Sequence, residues 1–448
     1  MSTHSDVIQP LDWKKKKKEM ENLAESILCQ AKTKGASEAQ LSLGNTQGVS
    51  VEVRNQQIET LEFNCDRGLS LTLYKGKRKG QASTTDLSKE GIEQTINAAL
   101  SIATYTAEDP FSGLAEKQNL ATEFPELGLY HPWQTSVEAL IQQAKTAEKV
   151  ALDTDKRITN TEGGSASTYE GLSLLANSNG FCGFNKGTQH SLSCVVIAED
   201  EKGMQRDYYY SSNRSPEKLL SAETIGSEAA HRTLKRLNAK PAKQGKFPIL
   251  FSAEMARSIF SHFLSAISGG QIYRKTSFLV DALGQQLFPQ WFYLREHPLL
   301  EGGHASKNFD AEGVATQDKY IVEKGKLNHF LLSSYSARKL SMETTGNAGG
   351  ATNVKVNYEN DTSQADIIST IKQGLYVTEM MGQGVNLVTG DYSRGAGGFW
   401  IENGEIVHPV SEITIAGNLS EMFAGMQTIA NDLDTRSALE TGSMLINE

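Results

Sequence analysis

His262 is the residue that most invites a search for chemistry. It stands in Ser261-His262-Phe263-Leu264-Ser265-Ala266. This run lies within residues 253–267, whose apolar spacing predicts a helix capped at Ser252. A zinc-peptidase helix commonly sets two histidines about one turn apart, with a glutamate beside the first. Both imidazoles then reach one metal, and the carboxylate takes a proton from bound water. His262 has no such companions. A lone histidine on a largely apolar helix predicts a core or interface residue making one hydrogen bond. His297 and His304 lie near Glu296 and Glu301 in EHPLLEGGH, but a Pro/Gly loop gives them no fixed face. Cys182 and Cys194 flank His190, yet a nucleophile and its base meet in space, not in sequence. Ser268-Gly269-Gly270 is no nucleophile elbow. Gly382-Gln383-Gly384 lacks the spacing of a dinucleotide loop and the lysine of a P-loop.

Two stretches are candidates for binding. Arg394-Gly395-Ala396-Gly397-Gly398 has almost no side-chain bulk. A backbone kept that bare lies against another backbone or a ligand, as in a crowded sheet corner or a substrate platform. Just downstream, Asn403-Gly404 between apolar runs predicts a hairpin with a type I′ turn. Lys324-Gly325 predicts a second hairpin. Tyr273-Arg274-Lys275 follows a Gly-Gly break after the predicted helix. It reads either as a peptide or partner contact or as charge complementing a helix C-terminus.

The elements that must position these groups are mixed. Helices are expected over residues 13–34, after Ser88, over 136–152 and over 216–237. Alternating runs predict strands at 40–43, 49–53, 61–63, 69–73, 172–176, 191–198 and 248–251. Turns are expected at Gly48, Asn55 and 66–68, with a turn-rich link at 159–164. A chain of 448 residues exceeds one typical core. The polar stretch 239–246 reads as the linker between an N-terminal α+β domain (1–238) and a C-terminal domain rich in antiparallel strands (247–448). The net charge of −9 argues against a nucleic-acid partner. The five lysines at 14–18 are followed at once by Glu19, Glu21 and Glu25, as at a solvated helix start. The four cysteines form no CxxC pair, so thiols are expected, not disulfides or a metal knot. No apolar run reaches membrane length, and residues 1–10 lack an apolar signal core, so a cytoplasmic protein is expected.

Several blocks in one order resemble the PmbA (TldE) branch of the TldD/PmbA family of bacterial peptidases and peptide-maturation proteins. They are GASEAQLSLG, ASTTDLS, ITNTEGG, AISGGQIYRKTSFL, SYSARKL, TTGNAGG, MGQGVN, TGDYSRGAGGFW and ENGEIVHPVSEITIAGNL, and they span nearly the whole chain. The resemblance implies partnership with a TldD-like zinc subunit. The complex would degrade unfolded peptides and mature microcin-type peptide antibiotics. TldD proteins carry HExxxH at the place of residues 261–266. Counting back from Arg274-Lys275, Ser261 and Ala266 fall on its two His positions, and His262 falls on its Glu. The expectation is therefore no metal in this chain, no catalytic residue, and zinc in the partner. This chain would bind substrate through Tyr273, Arg274, Lys275, Arg394, Gly395, Gly397 and Gly398, with extended peptide added as a strand. Homodimers are compatible with an isolated chain. A self-sufficient hydrolase with an unrecognised site and a non-enzymatic assembly protein are the competing classes.

Overall fold

The computed structural model describes residues 8–357 and 361–447. The polar start read at residues 1–10 thus lies, in its first seven residues, outside the described part. The N-terminal half runs α1 (Trp13–Thr33), β1 (Glu38–Arg54), β2 (Gln57–Lys75), β3 (Arg78–Thr84), α2 (Lys89–Tyr105), α3 (Val137–Thr154), β4 (Ile158–Asn177), β5 (Cys182–Asp200), β6 (Gly203–Asn213) and α4 (Ala222–Lys235). Its strands form one antiparallel sheet, ordered β3-β2-β1-β4-β5-β6. Alternation sends Leu41, Leu43, Val49, Val51, Leu69 and Leu71 to one face. There they pack under the helices in two clusters. The opposite face carries Ser42, Thr46, Ser70, Thr72, Ser167 and Gln189, a surface of hydroxyls and amides.

The strands are much longer than the sequence suggested. Gly48, residues 66–68 and residues 159–164 do not turn the chain; they lie inside β1, β2 and β4. Gly48 and Gly163 serve close packing. A Cβ on Gly48 would lie 2.1 Å from the Tyr169 ring and 2.6 Å from the Thr168 carbonyl oxygen. Gly163 sits at a bulge with φ +114, against the Val53 carbonyl. The turn at Asn55 does form, with positive φ at Asn55 and Gln56. Their amides donate to Glu148, at 2.8 and 2.7 Å. Strands β3 and β6 had no clear signal. The expected helix 216–237 is broken: a 3₁₀ turn covers Pro216–Lys218, and α4 restarts on a Ser221 cap.

The C-terminal half comprises β7 (Ile249–Phe251), α5 (Ala253–Ala266), α6 (Gly269–Tyr273), β8 (Tyr293–Glu296), β9 (Lys319–Glu323), β10 (Lys326–Leu327), α7 (Ser334–Leu340), β11 (Val354–Asn357), α8 (Gln364–Thr370), β12 (Gln373–Met381), β13 (Asp391–Glu402), β14 (Glu405–Asn418), α9 (Leu419–Ala424), β15 (Met426–Ile429), β16 (Leu439–Glu440) and β17 (Met444–Ile446). They build two sheets, β14-β13-β12-β7-β17-β15 and β10-β9-β8-β11-β16. Most pairs are antiparallel; β7–β12 and β11–β16 are parallel. The core between them is aromatic, with Phe288 and Phe292 stacked at 4.3 Å and Phe263 edge-on to Phe288. Both expected hairpins form, with positive φ at Lys324-Gly325 and Asn403-Gly404. The fold is α+β. Residues 239–246 contain no helix or strand, and the Lys240 amide donates to the Pro409 carbonyl at 2.9 Å. Among the described residues no helix is long and apolar enough to cross a membrane.

Candidate functional site

Helix α5 buries Ala256, Ile259, Phe260, Phe263 and Ala266 in the C-terminal core. That packing sets its first turn against the N-terminal half. Glu254 on that turn is only 8% exposed. It accepts from the Tyr208 hydroxyl at 2.6 Å and pairs with Arg232 at 3.3 Å and Arg436 at 3.5 Å. The network continues on both sides. Asp207 pairs with Arg232 and Arg236, each at 3.5 Å, and Arg236 also pairs with Glu379. Asp434 takes Arg436 at 2.9 Å and Arg257 at 3.1 Å. Arginine planes lie over aromatic faces, Arg232 over Tyr208 at 5.5 Å and Arg436 over Tyr210 at 4.5 Å. Burial alone would raise the Asp434 carboxyl, but the bonds to Arg436 and the charge of Arg257 hold it below the usual range. Burial, then the Glu254 bond, pushes the Tyr208 phenol up. Over this network lies a cavity of about 550 Å³. Glu254, Asp207 and Asp434 are each held by arginines, so none stands ready as a general base; the cluster clamps the two halves together.

A second groove, of about 660 Å³, lies between the polar face of the first sheet and the C-terminal half. Gln40, Ser42, Ser70 and Thr72 form one wall; Asp310, Ala311 and Ala348 belong to the other. Gln40 donates across the seam to the Ala311 carbonyl at 3.1 Å. Burial pushes the Asp310 carboxyl up to about 6, against the pull of the Ala348, Glu312 and Val314 amides that donate to it. An adjoining groove is lined by Tyr335 and Asp109, joined by a 2.6 Å hydrogen bond.

Each residue singled out from sequence has a definite place. Tyr273 stands edge-on to Tyr335 at 5.7 Å, so it backs this adjoining groove. Arg274 donates to the Tyr273 hydroxyl at 3.1 Å, and Lys275 leaves α6 with φ +58. Among the described residues, no hydrogen bond or ion pair links these three to residues 394–398. On α5, Ser261 is exposed and its hydroxyl donates to the Arg257 carbonyl at 2.9 Å. Ala266 is fully buried. Five residues of helix rotate them about 140° apart. His262 departs from expectation, because among the described residues its side chain makes no hydrogen bond. Its Nε2 is buried without a partner, and its ring lies edge-on to Tyr392 at 6.3 Å. The polar neighbours are already committed, since Arg394 donates to Ser258 at 3.0 Å. Among the described residues, no group of three or more His, Cys, Asp and Glu is arranged to hold a metal.

The glycine-rich run is corrected more sharply. β13 is an interior strand, paired with β12 on one side and β14 on the other. Its backbone groups are not an open edge, so a peptide cannot be added alongside residues 394–398. Gly398 serves strand crowding instead. A Cβ on Gly398 would lie 2.0 Å from the Tyr376 carbonyl oxygen. A Cβ on Gly397 would lie 3.1 Å from Glu379 Oε2, beside the Arg236–Glu379 pair.

His262 carries a prediction for pH. Burial first, then the Arg394 charge, lowers its pKa below 6.5. The unfolded chain therefore takes the proton first on acidification. The stability linked to neutral His262 is present above pH 6.5 and is lost as pH falls through the folded-state value. Burial shifts His190, His304 and His329 the same way. Melting temperature should be lower at pH 5.5 than at pH 7.5, and His262→Gln should narrow that gap. An unchanged gap in the variant would remove His262 from the account.

The seam network escaped sequence reasoning. Its only local traces are Tyr208-Tyr209-Tyr210 and Asp432-Leu433-Asp434-Thr435-Arg436, and its partners sit far apart in the chain.

Comparison with known proteins places this geometry. Models of the PmbA/TldA metallopeptidase family match residues 39–103 (domain 1), 130–237 (central domain) and 244–448 (C-terminal domain). The chain is 47% identical to Metalloprotease PmbA of Escherichia coli O157:H7, over 92% of this chain and 91% of that one. It is 43% identical to a PmbA homolog of Haemophilus influenzae, over 95% and 94%. A TldD homolog of Haemophilus influenzae is 22% identical over 85% and 82%. A solved Bacteroides thetaiotaomicron protein, named as a candidate modulator of DNA gyrase, superposes with TM-score 0.91 at 29% identity, over 96% and 98%. TldE from Thermococcus kodakarensis shares the fold, with TM-score 0.81 at 21% identity over 96% and 98%.

Proposed function

Because the chain belongs to the PmbA/TldA metallopeptidase family, we propose that it is the non-catalytic, substrate-holding subunit of a peptidase whose zinc sits in a TldD-like partner. One observation carries this reading. Where a zinc helix needs two imidazoles and a carboxylate, α5 offers an engaged Ser261 hydroxyl, a His262 whose Nε2 has no hydrogen-bond partner, and the buried methyl of Ala266. That donor set does not fit zinc. The hydroxyl- and amide-walled groove beside the first sheet supports a hold on unfolded peptide that is indifferent to side-chain sequence. Microcin-type peptides are substrates this reading admits, and the cytoplasm is the compartment it expects.

The expected result is less than about 0.1 zinc per purified chain and no peptide cleavage by the chain alone. Cleavage of unstructured peptides should appear on adding the TldD-like subunit. One firmly held zinc per chain, or cleavage without the partner, would favour a self-sufficient metalloprotease. Failure to bind a TldD-like subunit would also defeat the proposal.

A further inference from the structure

The first sheet leaves one long edge open. β3 pairs only with residues 69–75 of β2. Residues 57–68 of β2 pair with β1 on one side, and among the described residues no other backbone hydrogen-bonds to them. Long free edges are normally blunted by proline, lysine or a covering loop. Residues 57–68 contain no proline and no lysine. Alongside Glu59, Glu62, Asp66 and Arg67, the edge carries exposed apolar side chains: Ile58 at 48%, Leu61 at 40% and Phe63 at 64%.

These three continue the buried core. Opposite residues of an antiparallel pair share a face. Ile58, Leu61 and Phe63 stand opposite Val53, Val51 and Val49, which are buried beneath α3. The helical layer covers β2 only from Leu69 onward, so beside residues 57–68 the core face runs out into solvent.

We propose that residues 57–68 form a self-association edge on which a second copy of this chain adds antiparallel. The charges select the occupant and its register. Centring the twofold on Phe63 sets Glu59 opposite Arg67 of the other copy, twice over by symmetry. It also sets Phe63 against Phe63, Leu61 against Cys65, Thr60 against Asp66 and Glu62 against Asn64. No like charges then face each other. A centre one residue later sets Glu62 against Asp66, and one residue earlier sets Glu62 against itself; both oppose like charges, which is unfavourable. The dimer joins two six-stranded sheets into one. This inference goes beyond the proposed function and does not depend on it.

The register can be read by cross-linking. Opposed residues lie about 4.5–5.5 Å apart at Cβ, close to disulfide reach. Cys65 and its own copy would be four residues out of register, roughly 13 Å along the strand. In a background with the exposed Cys29 and Cys182 changed to serine, Leu61→Cys should give a covalent dimer with diamide, and the background alone should not. Light scattering should show a dimer for the unmodified chain and a monomer for Phe63→Glu. Because Phe63 is mostly exposed, Phe63→Glu should keep its melting temperature in the monomer range. A chain monomeric at all concentrations would overturn the proposal. So would a dimer that survives Phe63→Glu, or one that Leu61→Cys fails to lock.

Discussion

Replacing Glu254 by alanine is expected to cost about 3–5 kcal/mol of stability, the range for removing one partner from a buried charge network. The carboxylate is held by the Tyr208 hydroxyl and by Arg232 and Arg436. Its loss leaves a buried phenol without an acceptor and two guanidiniums short of a counter-charge. Arg232 keeps Asp207 and Arg436 keeps Asp434, which holds the loss to that range. Because Glu254 belongs to the C-terminal half and Tyr208 and Arg232 to the N-terminal half, the damage should be localised. Limited proteolysis should cut within residues 239–246 sooner in Glu254→Ala than in the parent. Urea titration of both proteins gives the energy. A loss under about 1 kcal/mol with unchanged proteolysis would mean that the seam is held by packing and not by charge. As a control, Lys149→Ala, which removes an exposed pair with Asp153, should leave the urea midpoint unchanged, since such pairs contribute little.

Gly398→Ala should be at least as damaging, at about 3 kcal/mol or more, since a Cβ would overlap the backbone of a paired strand. The Tyr376 carbonyl oxygen 2.0 Å away cannot rotate aside as a side chain would. Gly395→Ala makes the comparison. There the nearest atom is Met381 Cβ at 3.4 Å, an ordinary contact, so the cost should stay within about 1 kcal/mol. Equal effects at the two positions would refute strand crowding as the reason for the glycines. Gly397→Val is a poor probe of substrate binding, because the new side chain strikes the Arg236–Glu379 pair first.

The longer helices and both hairpins were legible because their signals are local, whereas the short helices α7, α8 and α9 were not. Ser88, Ser136 and Ser252 each cap a helix, accepting from an amide three residues on. Asn403-Gly404 turns as its residue types require. Strand length was not legible. In β1 and β4 the glycines that look like punctuation fill crowded interior positions, and a periodicity of two cannot tell a turn from a tight crossing. The candidate site divided along the same line. Residues 253–267 could be placed on a helix, and the types at 261, 262 and 266 could be read directly. The role of residues 394–398 depended on which strands lie beside β13, and the seam depended on pairing Asp207 with Arg232 and Arg236, and Glu254 with Arg232 and Arg436. Those are long-range facts with no local signature.

The 140° between Ser261 and Ala266 has a bearing on evolution and engineering. A histidine at position 261 would enter from solvent with little resistance. A histidine at position 266 would have to displace a closed core, where overpacking costs about 1–3 kcal/mol before any ligand is gained. Any gain of two imidazoles on α5 is therefore ordered. The neighbours of Ala266 would have to shrink first, and until they did, an imidazole at position 266 would be selected against. Such a step works as a ratchet: once a core has sealed around a methyl group, point mutation cannot easily install a metal centre there, however well the rest of the scaffold is kept.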